Sequence, residues 1–264
     1  MKKFFCAAAA IAAGLISAVA FAGCEVGEAE ITYKLSEDGT HYVVSGYTGD
    51  DRALTSLSVP ATYAAEGGDE LPVTEIGENA FRRCAYLTKV DLGVVEKIGD
   101  LAFSYCGLTE LTIPATVTHI GFGAFAVCDN LTSVSIPDTV TVLEDKAFFS
   151  CENLEKAYVK ANVSVLSDGV FGVVINSGGG NTYVASSLKE IYLGASITKI
   201  NVTALQGTPL TDVYFAGNAE EWEEVYFFEL VTEKDNKGES VVKENKLDKK
   251  KVMGNVNLHL NAQF

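Results

Sequence analysis

The stretch VTHIGFGAFAVCDNLTSVSIP, residues 117–137, decides the fold because its order of residue types recurs along the chain. A copy carries an aliphatic residue, a phenylalanine in all but the last copy, a small residue that is usually cysteine, and a run that begins with leucine. In five copies the phenylalanines lie 22 or 23 residues apart, at Phe81, Phe103, Phe125, Phe148 and Phe171. A sixth copy has Leu205 in this position, after a Gly- and Ser-rich insertion at 175–187. This period predicts a solenoid, because each copy is too small to bury its own apolar face.

Stacking places like residues over like, so the phenylalanines, the aliphatic residues and the cysteines should each form a buried column. The run that begins with leucine in each copy alternates apolar and polar residues, as a strand with one buried face does. Seven such runs predict seven parallel strands in one curved sheet. They are LTSLSVP (54–60), LTKVDL (87–92), LTELTIP (108–114), LTSVSIP (131–137), LEKAYVK (154–160), LKEIYLG (188–194) and LTDVYFA (210–216).

Two side chains of each predicted strand point outward and form two surface columns. The first column comprises Ser56, Lys89, Glu110, Ser133, Lys156, Glu190 and Asp212. The second comprises Ser58, Asp91, Thr112, Ser135, Tyr158, Tyr192 and Tyr214. Three tyrosines therefore stack about 4.8 Å apart on the C-terminal strands, at the spacing of neighbouring strands.

This surface predicts a ligand-binding face made of Tyr158, Tyr192, Tyr214, Glu190 and Asp212. Tyrosines supply rigid contact area and a hydroxyl, a combination that is favoured at interfaces. The two carboxylates would suit a cationic or a polyhydroxyl ligand. The alternative is that tyrosine is present for its strand propensity and for cross-strand stacking.

The pattern IP..VT.IG..AF..C..LT.V.IP resembles the BspA-like class of bacterial leucine-rich repeats over residues 54–216. The resemblance implies a β-rich solenoid of the α/β type, with a right-handed coil and a parallel concave sheet. The segment 31–49 resembles the N-terminal β-hairpin of such proteins, with Asp38-Gly39 at its turn. The segment 213–225 resembles a closing segment in which Trp222 covers the last coil.

These features divide the chain into four predicted segments. Residues 1–23 form a signal peptide of the lipoprotein type, and 24–50 form an N-terminal β-hairpin cap. Residues 51–218 form the leucine-rich repeat solenoid, and 219–264 form a C-terminal cap with a charged hairpin or loop. The motif NVNLHL near the end predicts a final strand.

The first 24 residues, MKKFFCAAAAIAAGLISAVAFAGC, indicate export, because two lysines precede an apolar run that ends in small residues. The end of this run, FAGC, resembles a bacterial lipobox, although Phe21 stands where leucine is usual. We therefore expect Cys24 to be lipidated and to anchor the protein on a bacterial membrane. The alternatives are cleavage after Ala22, which would release a secreted protein, and a retained membrane-spanning anchor.

The four repeat cysteines are Cys84, Cys106, Cys128 and Cys151. They lie 22 or 23 residues apart, whereas zinc ligands come in pairs two to four residues apart. Neighbouring coils could bring them to disulfide distance. Val174 and Thr208 hold the same slot in later copies, which favours a column of small buried residues with free thiols.

The chain has a formal net charge of −15 and no basic stripe, which argues against nucleic acid as a partner. It has no nucleophile elbow, phosphate loop or His-Glu-x-x-His motif, so we expect no enzyme activity, no cofactor and no metal. The family resemblance implies an exported protein, and some members are implicated in adhesion to host proteins or to other bacteria. We expect a lipid-anchored cell-surface protein that binds a protein or glycan through its concave face. The alternatives are a structural spacer or assembly module of the cell envelope, and a glycan-binding accessory protein.

Overall fold

The computed structural model describes residues 30–173, 186–234 and 239–264. It begins with an antiparallel hairpin of β1 (Glu30–Leu35) and β2 (Tyr42–Thr48). Gly39 lies in the turn with φ +71°, a conformation that glycine adopts without a steric penalty. The hairpin is therefore where the Asp38-Gly39 pair predicts it.

Each coil of the repeat contributes two short strands, one on each side of the solenoid. In chain order the strands of this region are β3 (Ser56–Ser58), β4 (Thr62–Tyr63), β5 (Leu71–Ile76), β6 (Lys89–Asp91), β7 (Lys97–Ile98), β8 (Glu110–Leu111), β9 (His119–Ile120), β10 (Ser133–Ile136), β11 (Val142–Leu143), β12 (Lys156–Val159), β13 (Val165–Leu166), β14 (Glu190–Leu193), β15 (Lys199–Asn201) and β16 (Asp212–Phe215). Single 3₁₀ turns lie at Asp51–Ala53 and Val202–Leu205.

The C-terminal region contains two short helices and three further strands. They are α1 (Ala219–Glu224), β17 (Tyr226–Lys234), β18 (Ser240–Leu247), α2 (Lys249–Met253) and β19 (Asn257–Leu260). Asn218 caps α1, and its side chain accepts hydrogen bonds from the backbone N–H groups of Glu220 and Glu221. Trp222 in α1 is only 4% exposed, and its ring lies 5.2 Å from that of Phe215. It covers the last coil, as the sequence predicts.

The prediction that the seven strands form one curved sheet was wrong. We name the strands on this side of the solenoid the outer strands: β3, β6, β8, β10, β12, β14, β16 and β19. The outer strands form two parallel sheets, one in the order β3-β6-β8 and one in the order β10-β12-β14-β16-β19. The break falls at the coil of β8, where the corner Cys106–Leu108 is one residue shorter than the corner Cys128–Leu131. Strand β8 pairs with β6 through Glu110 and Leu111 and has no pairing with β10.

The opposite side of the solenoid carries a second pair of sheets. One runs in the order β1-β2-β5-β7-β9-β11, with β4 paired to β5. The other runs in the order β13-β15-β17-β18, so the charged C-terminal segment forms an antiparallel hairpin that continues the coil. Strand β19 returns to the first side and pairs in parallel with β16.

The core is a stack of phenylalanines, which we name the inner ladder: Phe81, Phe103, Phe125, Phe148 and Phe171. Successive rings are stacked with centroids 5.2–5.7 Å apart. The backbone joins the same coils, because the Phe103 N–H donates to the Ala124 carbonyl and the Phe125 N–H to the Ala147 carbonyl. Burial of each ring should contribute about 1.5–3 kcal/mol to folding.

The four repeat cysteines are buried and free, so they form the predicted thiol column. The Sγ of Cys106 donates to the carbonyl of Phe81 at 3.0 Å. The Sγ atoms of Cys128 and Cys151 each donate to a phenylalanine carbonyl at 3.2 Å. Burial is the main cause that raises the pKa of the Cys151 thiol to about 12. Hydrogen bonding with Cys106 lowers the pKa of the Cys84 thiol, whereas the pKa of Cys106, Cys128 and Cys151 is raised. These last three thiols are therefore structural fillers and not reactive thiolates.

Candidate functional site

The in-register pairing of the five-stranded sheet aligns two rows of outward side chains. We name the first the polar row: Ser133, Lys156, Glu190, Asp212 and Asn257. The second begins at Ser135 and continues with four rings, which we name the outer ladder: Tyr158, Tyr192, Tyr214 and His259. All five residues that the sequence predicts for the site lie in these rows, side by side on one face.

The rings of the outer ladder stack face to face. Their centroids are 4.3 Å apart for Tyr158 and Tyr192, 4.2 Å for Tyr192 and Tyr214, and 4.3 Å for Tyr214 and His259. The angles between ring planes are 21°, 5° and 11°. Because Tyr192 and Tyr214 each have a ring against both faces, only their ring edges are left for further contacts.

Glu190 already has two partners within the polar row and the ladder. Its Oε1 lies 3.0 Å from the Lys156 Nζ, and its Oε2 accepts a hydrogen bond of 2.9 Å from the Tyr192 hydroxyl. The bonds from Lys156 and then Tyr192 hold the pKa of Glu190 below its ordinary value. Burial and the same bond to Glu190 raise the pKa of Tyr192.

Asp212 of β16 forms side-chain hydrogen bonds with residues of β19. Its Oδ1 lies 2.8 Å from the His259 Nε2 and accepts a bond of 3.2 Å from the Asn257 side chain. Its Oδ2 accepts a bond of 2.8 Å from the Thr211 hydroxyl. The bonds from His259 and then Thr211 lower the pKa of Asp212. Both predicted carboxylates therefore have intramolecular hydrogen-bond partners, with which a cationic ligand would compete.

Phe264 also packs on the outer ladder. Its ring centroid lies 5.4 Å from that of Tyr192, at an angle of 66°, and 6.3 Å from that of Tyr158. The Lys160 Nζ lies 5.9 Å from the same ring. Together these contacts place an aromatic side chain from the end of the cap on the predicted binding face.

Two members of this site, His259 and Phe264, are not predicted from the sequence. The signal for His259 was present, because NLHL (257–260) alternates like DVYF (212–215) and aligns His259 with Tyr214. Phe264 follows a turn at Asn261, which has φ +54°, and no repeat pattern marks that turn. The predicted lipidation site, Cys24, lies outside the described residues.

A cavity of about 970 Å³ lies between the last coil and the C-terminal hairpin. None of the three tyrosines lines it. Polar groups at its wall bond to each other, since the Thr203 hydroxyl donates to Asp168 at 2.5 Å. Within the described ranges, no cluster of His, Cys, Asp and Glu is arranged to hold a metal ion. No helix among these residues is long and apolar enough to cross a membrane.

The sequence matches the profile of the BspA type leucine-rich repeat region at residues 70–177 and 174–232, in six copies. The chain belongs to this family. The family assignment agrees with the coil, in which a fixed set of apolar residues fills the same place on every turn. No curated protein matches the sequence of this BspA-type chain.

Solved structures of other bacterial leucine-rich repeat proteins are similar to this BspA-type chain. One, from Bacteroides ovatus ATCC 8483, is 23% identical with a TM-score of 0.48, and the match covers 70% of this chain and 57% of that one. The chain therefore spans less than two thirds of that protein. Another, from T. pallidum, is 20% identical with a TM-score of 0.47, over 70% of this chain and 82% of that one.

Proposed function

We propose that this protein is a non-catalytic binding module that holds a protein partner through the outer ladder and the polar row. The observation that carries the proposal is the ladder itself, with three tyrosines in register and rings 4.2–4.3 Å apart on an outward face. Such a ladder offers rigid contact area that loses little conformational entropy on binding. Membership in a repeat family that is typically used for binding supports the same function.

The polar row supports binding better than catalysis. Glu190 and Asp212 are each engaged by a neighbouring side chain, and these bonds lower the pKa of both groups. A general acid at neutral pH needs a raised carboxyl pKa, which is the opposite shift. The row instead forms a fixed pattern of donors and acceptors beside the rings, as a binding surface requires.

The test is a binding panel of purified extracellular-matrix proteins and a glycan array, probed with the exported form of the protein. The variant Tyr158→Ala/Tyr192→Ala/Tyr214→Ala should lose at least about tenfold in affinity for the partner that the wild-type protein binds. A matched control, Tyr86→Ala/Tyr105→Ala, removes two exposed tyrosines outside the ladder and should leave affinity unchanged. Unchanged binding by a folded triple variant would refute the proposal.

A structural spacer of the cell envelope is the second candidate, and the mutual stacking of the rings favours it. In that case the tyrosines stabilise the sheet, and the triple variant loses stability without any loss of a partner. A glycan-binding accessory protein is the third candidate. It would be identified by signals on the glycan array that depend on the ladder while the matrix proteins give none.

We further propose that the protein is exported and anchored on the outer face of a bacterial membrane by lipid at Cys24. The support is the basic start, the apolar run and the FAGC motif of residues 1–24. Intact mass of the protein from its native membrane fraction tests this location. We expect a chain that begins at an acylated Cys24, and a chain without lipid in the culture medium would contradict the anchor.

A further inference from the structure

We propose that the edge of the outer ladder beside Lys160 recognises an aromatic side chain of the partner. In the free protein, the side chain of Phe264 occupies this position. The inference rests on the proposed function, because it names the chemical group that the binding face accepts. A ring from the partner would displace Phe264 and make the same contacts.

The ladder itself shows which part of a tyrosine Phe264 touches. Tyr192 has Tyr158 against one ring face and Tyr214 against the other, at 4.3 and 4.2 Å. The 66° contact with Phe264 at 5.4 Å must therefore use the edge of the Tyr192 ring. Ring edges carry partial positive charge and ring faces carry partial negative charge, so edge-to-face contact with a second aromatic ring is favourable.

Lys160 adds a second feature that selects for an aromatic ring. It directly follows β12, and its ammonium group lies 5.9 Å from the centroid of Phe264. An ammonium near a ring is attracted by the electron density of the ring face. A leucine or valine of similar size would fill the same space without either electrostatic attraction.

The attachment of Phe264 allows exchange with a partner. Strand β19 ends at Leu260, and backbone bonds then hold Asn261 to the Gly217 carbonyl and Ala262 to the Phe215 carbonyl. Gln263 is exposed and Phe264 is only partly buried. Departure of the Phe264 ring therefore breaks no strand pairing and leaves both of these backbone bonds in place.

A depression beside the site gives room for the rest of a partner segment. It has a volume of about 400 Å³ and lies at the break between the two outer sheets, with Leu111, Ile113, Ser135 and Lys160 in its wall. Lys160 lines this depression and also faces the Phe264 ring. A peptide could thus seat an aromatic residue on the ladder and continue between the sheets.

The test measures binding of two synthetic peptides by NMR of protein with labelled tyrosine rings. One peptide is Leu-Asn-Ala-Gln-Phe, which is the sequence of residues 260–264, and the other ends in leucine instead. The variant Phe264→Ala should bind the phenylalanine peptide at least tenfold more tightly than the wild-type protein does. It should also prefer this peptide to the leucine peptide, with shifts at Tyr158 and Tyr192. The control Gln263→Ala should behave like the wild type.

Three results would overturn the inference: equal affinity of wild type and Phe264→Ala, equal affinity for the two peptides, or shifts outside the ladder. Adding Lys160→Met to Phe264→Ala should weaken binding of the phenylalanine peptide, and an unchanged affinity would count against the role of Lys160. These results would refute recognition of an aromatic side chain beside Lys160 without refuting partner binding by the outer ladder. A matrix protein whose binding depends on the tyrosines would still support the binding module even if neither peptide bound.

Discussion

The protein contains two aromatic ladders in opposite environments. The inner ladder consists of five buried phenylalanines with centroids 5.2–5.7 Å apart. The outer ladder consists of three tyrosines and a histidine on an exposed face, 4.2–4.3 Å apart. The inner ladder fills the core of every coil from Phe81 to Phe171, whereas the outer ladder occupies only the C-terminal strands.

Stacking alone therefore does not define the role of an aromatic column. The inner rings exclude water completely, so their removal must leave a void or force collapse. The outer rings keep one edge in solvent, and their loss leaves a surface that water can fill. We therefore expect the inner ladder to determine stability and the outer ladder to determine recognition.

Breaking the inner ladder should have the largest effect. Phe125 has no exposed surface and stacks between Phe103 and Phe148. We expect Phe125→Ala to lower the free energy of unfolding by about 3–5 kcal/mol, because it removes buried surface and opens a cavity. Urea denaturation measures this, with Phe125→Leu as a milder control. A cost below about 1 kcal/mol would contradict the assignment of this ring to the core.

The thiol column beside the inner ladder should show the next largest effect. Cys128 is fully buried, and burial raises the pKa of its thiol well above the ordinary value. We expect Cys128→Ser to lower the free energy of unfolding by about 1–3 kcal/mol, since a hydroxyl is costly to bury. Cys128→Val should cost less, because it keeps an apolar group in the slot. The reverse order would mean that the bond from Sγ to the Phe103 carbonyl matters more than apolar filling.

Breaking the outer ladder should affect stability less. Tyr192 is part-buried and stacks on two tyrosines. We expect Tyr192→Ala to lower the free energy of unfolding by about 0.5–2 kcal/mol, as cross-strand aromatic pairs contribute this much. The same urea denaturation compares it directly with Phe125→Ala. If the two substitutions cost the same, the contrast between the ladders is wrong.

The smallest effect should come from the charge of Asp212. Its pKa lies below the ordinary value of 3.8, mainly through the bond from His259, so the unfolded chain takes up its proton first as the pH falls. The stabilisation is therefore present above pH 3.8 and is lost as the pH drops through the lower folded-state pKa. We expect Asp212→Asn to be slightly less stable than wild type at pH 7.

Denaturation of wild type and Asp212→Asn as a function of pH measures this effect. The difference between the two proteins should shrink as the pH falls below 3.8 and through the lowered folded-state pKa of Asp212. Glu110→Gln, at the corresponding position of β8, serves as the control. A difference that grows as the pH falls would show that Asp212 stabilises the folded state in its protonated form.

The inner ladder could be predicted because it repeats. Phe81, Phe103 and Phe125 recur at an interval that only a coil can bring into contact, and their neighbours recur with them. The register of the outer columns follows from the same alignment, so the pairing of Tyr158 with Tyr192 could be predicted from the repeat alone. The ion pair of Lys156 and Glu190 could also have been derived, since both residues were already in one column.

The rest of the site depends on features that do not repeat. The break between β8 and β10 belongs to one pair of coils, and alignment on the phenylalanines does not reveal it. Strand β19 lies more than 40 residues after β16 in the chain, so its pairing rests on long-range contacts that local patterns do not specify. Phe264 reaches the ladder only because the chain turns at Asn261 and returns across the ends of the strands.

Another regularity was visible in the sequence but lacked a physical reason there. The threonine that follows leucine in several repeats bonds from coil to coil. The Thr88 hydroxyl donates to the Thr55 carbonyl at 3.1 Å, and the Thr109 hydroxyl to the Thr88 carbonyl at 3.3 Å. These bonds link successive coils at the start of the outer strands, so the threonines support stacking of the coils.

The most direct test of the account is ¹⁹F NMR of protein in which fluorotyrosine replaces the 11 tyrosines, titrated with the matrix protein that binds best in the panel. Single Tyr→Phe variants assign the resonances. We predict that the resonances of Tyr158, Tyr192 and Tyr214 shift, while those of Tyr86 and Tyr105, which are exposed elsewhere, remain unchanged. Shifts at Tyr86 and Tyr105 with none in the outer ladder would contradict the division of roles between the two ladders.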